Sequence, residues 1–425
     1  MYKLACVFRV RLSVFGHVHA AKRKTAWLEN LPVMQKGPDL TMNDSASNGA
    51  PHYTYQEIFR QPLLWTTTVD RVLRASEQLN LHAKLADARV LLTGAGTSAY
   101  AAQAVTSAWP RSIAVPTTDL LVDPERYLPE VDAVISLARS GDSPESAAVV
   151  ERIRGLRPEI LQFAIVCNED GALSHSGLEG LIALDPRTND HSLVMTSAFS
   201  NLVLGGLALA QPDAVAETVH EFSERATRLL PEIDRACQSA ATRVRNRVVV
   251  LSSSPLLGWA REAGLKTLEM TSGRFPTISE TLLGLRHGPM SYIERDTFVL
   301  CLLSSDRVRR LYELDLIEEL RTKEIGYLAG IADPDEVAGV FDEVIPAIAP
   351  HAEDDFRTPY EIVGPQLLGY HVSLRSGLNP DNPSPDGIIH RVVQGVRIHP
   401  PLENGKINKR QTSSPRPSEQ SNTFE

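Results

Sequence analysis

The stretch RVLLTGAGTS, residues 89–98, decides the fold. An apolar run (89–93) ends in a Gly-Ala-Gly-Thr-Ser turn, and a helix-like segment, YAAQAVTSAW, follows. A second unit of the same kind lies at 131–146, VDAVISLARSGDSPES. Strand, polar turn and helix in that order set a helix N-terminus at the carboxyl end of a strand. Such a terminus carries unpaired N–H donors and a partial positive charge. Two of them so close together predict a site for one anionic group, foremost a phosphate.

Outward from this stretch, residues 56–88 read as helix, with Ile58, Leu63, Val69, Val72 and Leu79 at mixed helical spacing. Strands are expected at 89–93, 132–137, 161–167 and 181–185. Their continuous apolar runs suit a parallel sheet covered on both faces. Residues 193–243 read as helical, broken at Pro212 and Pro231. The scheme then restarts: strands at 247–251, 297–305 and 324–332 alternate with helical segments. The fold class is therefore α/β, two doubly wound units in tandem. We place the first unit at 51–243 and the second at 244–402. The polar, Pro/Ser-rich stretch 403–425 reads as a disordered tail.

Residues 1–50 read as a disordered or mis-started extension. The stretch 1–28 is basic, with short apolar runs interrupted by Arg9 and Arg11, which disfavours a secretory signal. A working start near Met34 or Met42 is expected.

The net charge of −9 disfavours nucleic acid as a partner. No apolar run is long enough to span a bilayer, so a membrane role is not expected. The four cysteines, Cys6, Cys167, Cys237 and Cys301, form no CxxC pair, which suits buried thiols in a reducing, cytoplasmic setting. No HExxH occurs, and no metal or cofactor is expected.

In the first turn Gly94 and Gly96 permit close backbone approach, and Thr97 and Ser98 add hydroxyls at the helix start. In the second, Ser140, Gly141 and Ser143 repeat that chemistry, with Ser143 as N-cap and Pro144 at the first helical position. Neither turn is GxGxxG with a ribose-binding acid, nor GxxxxGK[ST], so a small sugar phosphate fits better than a nucleotide. Further on, REAGLKTLEM sets Glu262, Lys266 and Glu269 along one helix face. That spacing commonly marks an exposed ion pair, but Trp259, Ala263, Leu265 and Leu268 leave little of this helix polar. His287 stands in an Arg-His-Gly-Pro loop whose Gly288 and Pro289 fix the backbone. A Glu base and a His acid/base are the pair that aldose–ketose chemistry requires.

At GAGTSAY, SGDSPES, LKTLE and RHGP together the chain resembles the sugar isomerase (SIS) domain family, in its AgaS-type branch of galactosamine-6-phosphate deaminase/isomerase or tagatose-6-phosphate ketose/aldose isomerase proteins. VPTTDLLVDPERYL (115–128), CNEDGAL (167–173), VMTSAF (194–199) and LNPDNPSPDGIIHRVVQGVRIHP (378–400) extend the likeness over about residues 52–400. The resemblance implies tandem SIS domains, each a five-stranded parallel sheet flanked by helices, in a homodimer or homotetramer with its site at a subunit interface. It assigns the phosphate to Gly96, Thr97, Ser98, Ser140, Gly141 and Ser143. Glu269 moves the proton between C1 and C2, His287 opens the ring, and Lys266 lies near the substrate. Arg139 and Gln394 are further expected substrate contacts, Gln394 on a closing tail. The implied reaction turns galactosamine 6-phosphate into tagatose 6-phosphate and ammonia. Plain aldose–ketose isomerisation and a non-catalytic sugar-phosphate sensor are the alternatives. Departures from the branch pattern at Ser252–Ser254, at Glu280–Leu282 and at Met290 bear on sugar preference.

Overall fold

Ten parallel strands form two sheets of five in the computed structural model, which describes residues 52–400. The extension expected at 1–50 and the tail expected at 403–425 lie outside the described residues. The first half runs α1 (Tyr53–Gln78), α2 (Leu81–Leu85), β1 (Val90–Gly94), α3 (Thr97–Thr106), β2 (Ser112–Pro116), α4 (Thr117–Val122), α5 (Pro124–Tyr127), β3 (Ala133–Ala138), α6 (Pro144–Leu156), β4 (Leu161–Val166), β5 (Gly180–Ala183), α7 (Ser197–Ala210) and α8 (Pro212–Ala241). The second runs β6 (Val248–Ser252), α9 (Leu257–Met270), β7 (Thr277–Thr281), β8 (Phe298–Leu302), α10 (Arg307–Thr322), β9 (Tyr327–Ala332), β10 (Glu343–Pro346), α11 (Asp354–Glu361) and α12 (Val363–Arg375).

The first sheet has the order β2-β1-β3-β4-β5, and the second, read from β7, repeats it as β7-β6-β8-β9-β10. In each, the chain moves one way from its first strand and the other way from its third. The crevice between those two strands, at their carboxyl ends, is where open α/β sheets bind ligands. In the first sheet it lies between β1 and β3, which pair from Val90↔Ala133 to Thr93↔Ser136. Both strands are buried at every position, as expected of central strands with helices on both faces.

Three expectations need correction. The helix expected over 56–88 is two helices, because Asn80 adopts φ 51°, a left-handed conformation that ends α1. Pro231 does not break α8: a buried stripe from Val215 and Val219 through Ala226, Leu230 and Ile233 to Cys237 holds both arms in line, and outweighs the one backbone bond a proline forfeits. Strands β2, β7 and β10, not anticipated from the sequence, are half-exposed edge strands whose apolar runs are short in SIAVP and EVIP and missing in TISET.

The halves share one core. Ala101 and Val105 of α3, Trp259 and Ala263 of α9, Ile58 of α1 and Leu367 of α12 belong to a single buried apolar cluster. Beyond α12 the chain turns back to the first half. Asp381 accepts from the N–H groups of Tyr53 and Thr54 at 3.0 and 2.8 Å, capping α1 from 327 residues away. Among the described residues no helix is long and apolar enough to cross a membrane, and no cluster of His, Cys, Asp and Glu could hold a metal ion.

Candidate active site

The two polar turns leave the adjacent strands β1 and β3 on the same side of the first sheet. Gly96 caps α3 at φ 56°, ψ −127°, and Gly141 bends the second turn at φ 71°. Both are conformations that side chains disfavour. Thr97 and Ser98, in the first turn of α3, are buried. Ser140 and Ser143 are half-buried, and Ser143 is the N-cap of α6 with Pro144 behind it, as expected. Its hydroxyl donates to Glu145. The loop 168–173 braces this turn: Asn168 Nδ2 donates to the Ser140 carbonyl at 3.1 Å, and Leu173 N to that of Gly141 at 2.9 Å.

Helix α9 of the second half packs on α3. The fully buried Lys266 sits between two carboxylates, 3.0 Å from Glu262 Oε1 and 3.0 Å from Glu269 Oε2. Lys266 Nζ also donates to the Met195 carbonyl at 2.9 Å and to Thr97 Oγ1 at 3.3 Å. Thr97 Oγ1 in turn donates to Glu262 Oε1 at 3.3 Å. The Thr97 hydroxyl, in the turn after β1, is thereby wired to the α9 triad. Glu262 and Lys266 are completely buried, while the Glu269 side chain keeps 26% exposure.

Burial pushes Glu262 up to about 7, helped by the charge of Glu269 and resisted by Lys266 and Thr97. Burial works against the charge of Lys266 too, but the two carboxylates overturn it and raise its pKa, so it stays an ammonium. The second oxygen of Glu262 has no partner among the described residues, an acceptor left over inside the site.

Arg139, directly after β3, is buried. Its guanidinium donates to the carbonyls of Ser192 at 3.2 Å, Leu193 at 2.9 Å and Arg391. Burial, then the charge of Arg391, lower its pKa, with Asp190 and Glu269 acting in the opposite sense. Arg391 binds Asn189 Oδ1 and the Asp190 carbonyl, both at 2.6 Å. The tail is therefore clasped beside the turn after β3.

The structure brings Gly96, Thr97, Ser98, Arg139, Ser140, Gly141, Ser143, Lys266 and Glu269 to one region. It does not bring His287 or Gln394 into the triad. His287 is exposed at the end of the 3-10 turn Leu283–His287 beyond edge strand β7, and Gln394 is exposed on the tail. Sequence reasoning quoted Glu262 without giving it a task, although its apolar helix neighbours signalled burial. It missed the Arg139–Arg391 clasp, for which spacing offers no signal across 252 residues.

Sugar-phosphate isomerases of the SIS class are built this way, and a solved structure agrees: the Escherichia coli tagatose-6-phosphate ketose/aldose isomerase matches at a TM-score of 0.73 and 31% identity, covering 82% of this chain and 97% of that one. No family model matches the chain. The D-galactosamine-6-phosphate deaminase AgaS of Escherichia coli is 32% identical over 368 residues, 82% of this chain and 96% of its own. A Streptomyces coelicolor relative with the same AgaS designation is 34% identical over 381 residues, 85% of this chain and 97% of its own. The chain belongs to the AgaS family of SIS-type sugar-phosphate enzymes.

Proposed function

We propose that the chain converts an amino-sugar 6-phosphate, D-galactosamine 6-phosphate first among them, to the ketose 6-phosphate with release of ammonia. The observation that carries this reading is the Thr97–Glu262–Lys266–Glu269 network, which couples the turn after β1 to a partly exposed carboxylate. Thr97, Ser98, Ser140 and Ser143, with the backbone at Gly96 and Gly141, hold the phosphate. Arg139 adds a cation while bracing the tail that carries Gln394.

In the open-chain aldehyde, Glu269 takes the proton from C2, and the electron pair moves onto the C1 oxygen. The Lys266 ammonium beside it stabilises that charge. The same carboxyl returns a proton at C1, the 2-amino group passes one of its protons to O1, and a 2-imine with a hydroxymethyl C1 results. Water adds to the imine carbon and ammonia leaves, giving the 2-ketose. A sugar with a 2-hydroxyl in place of the amine stops at isomerisation.

In this reading His287 remains the ring-opening group, reached across a subunit interface of a homodimer or homotetramer. The buried free cysteines Cys167, Cys237 and Cys301 support a cytoplasmic setting.

A panel of hexosamine and hexose 6-phosphates, assayed for ammonia and for ketose, tests the reading. Glu269→Gln is expected to retain affinity for the sugar phosphate and to lose turnover by at least about a thousandfold. Absence of both activities with every sugar, or an undiminished Glu269→Gln, overturns it.

A further inference from the structure

The second sheet has a switch point of its own, between β6 and β8. The turns after β3 and β8 correspond: β3 ends at Ala138 and Ser140 follows two residues on, while β8 ends at Leu302 and Ser304 stands at the same offset. Helix α10 then begins at Arg307, much as α6 begins at Pro144.

At this second turn one carboxylate is surrounded by donors. Asp354, the first residue of α11, accepts from Ser305 N at 2.9 Å, Ser305 Oγ at 3.1 Å and the Ser304 hydroxyl. It also accepts from Arg309 Nη1 at 2.6 Å and Arg357 Nη1 at 3.1 Å. A backbone amide, two hydroxyls and two guanidinium groups converging on one anion make the donor set of an oxyanion site. The Asp354 side chain is 4% exposed and that of Arg357 1%. Burial opposes ionisation of Asp354, but the bonds from Ser304 and Ser305 and the charge of Arg357 outweigh it and hold its carboxyl below the usual range. Two further carboxylates share the neighbourhood: Glu313 takes the Ser304 N–H at 2.7 Å, and Glu361 lies 3.9 Å from Arg357.

We propose that the second switch point is an oxyanion site filled by the chain's own Asp354, so that each chain offers one open phosphate turn rather than two. The ligand class is a small oxyanion: a side-chain carboxylate in the native chain, and inorganic phosphate once that carboxylate is taken away. The inference does not depend on which sugar the first turn accepts.

Asp354→Gly tests it, because it clears the space of a methyl carboxylate, close to that of a tetrahedral oxyanion. Inorganic phosphate is titrated into wild type and variant by calorimetry, and Tm is read with and without it. The variant is expected to bind one more phosphate per chain than wild type. It should lose several degrees of Tm in phosphate-free buffer and regain most of that in tens of millimolar phosphate, where wild type shifts less. Asp354→Ser, which keeps a polar helix start, is measured in parallel. A variant chain recovered only from phosphate buffer counts as the same anion rescue. Equal phosphate counts in wild type and both variants, or a loss of Tm that phosphate leaves unrestored, overturn the proposal. The readout is the difference between chains. If the first turn bound no phosphate, wild type would read none and the variant one, so that failure stays distinguishable from this one.

Discussion

Lys266→Met probes how the α9 triad holds its charges. In the wild-type chain Glu262 gives up its proton at about 7, against 4.5 ordinarily. Between those values the folded chain keeps a proton that the unfolded chain has released. Stability from this group is therefore complete below about 4.5, falls by about 1.4 kcal/mol per pH unit, and levels off above about 7, a total of roughly 3 kcal/mol. Lys266, 3.0 Å from Glu262, is the principal cation favouring the ionised form. Without it Glu262 retains its proton to higher pH, and the decline continues where wild type is flat. Removing one member of a buried ion pair costs about 3–5 kcal/mol when the other is left charged. Urea unfolding should therefore show a deficit that is about 2 kcal/mol larger near pH 8.5 than near pH 6. Against Glu262→Gln as the reference, in which the titrating group is already gone, adding Lys266→Met should give a deficit that does not vary over that range. A Lys266→Met deficit equal at both pH values would refute the idea that Lys266 carries the Glu262 charge.

Glu57 is also pushed to about 7, by burial and by the charge of Asp190. Its contribution is lost as pH rises through that value, so Glu57→Gln should flatten the stability profile between about pH 4.5 and 7 by up to about 1.4 kcal/mol per unit, read by urea unfolding. Gly96→Ala meets no atom within 4 Å, so its cost comes from φ 56° alone. A loss of about 1–3 kcal/mol is expected in thermal unfolding, with weaker binding of inorganic phosphate measured by calorimetry. Arg391→Ala removes the ties to Asn189 and Asp190. Hydrogen exchange over 376–400 should accelerate, with KM for the sugar phosphate rising more than kcat falls.

Central strands were legible in the sequence because a buried parallel strand is apolar along most of its length, as Val90–Gly94 and Ala133–Ala138 are but for Thr93 and Ser136. The two turns after β1 and β3 were legible because a tight strand-to-helix turn selects glycine and small hydroxyls, as in GAGTS and RSGDS. Edge strands such as Thr277–Thr281 escaped because one flank meets solvent and polar residues are tolerated there. Lys266 and Glu269 were readable as a pair from helical spacing. The depth of Glu262 was not, because spacing reports a face of a helix but not what lies against that face. Here it is Thr97, 165 residues earlier. The Asp381 cap on α1 and the Arg391 clasp arise only once the chain has folded back on itself.

The crossing of α3 and α9 has a consequence for how this chain can diverge. Glu262, Lys266 and Glu269 come from after the 242–247 connection, while Thr97 comes from before it. The halves are not modules to be traded. A chimera that joined the front of one relative to the back of another would inherit two intact sheets and a mismatched seam, and its fitness would rest on the few side chains meeting at Thr97.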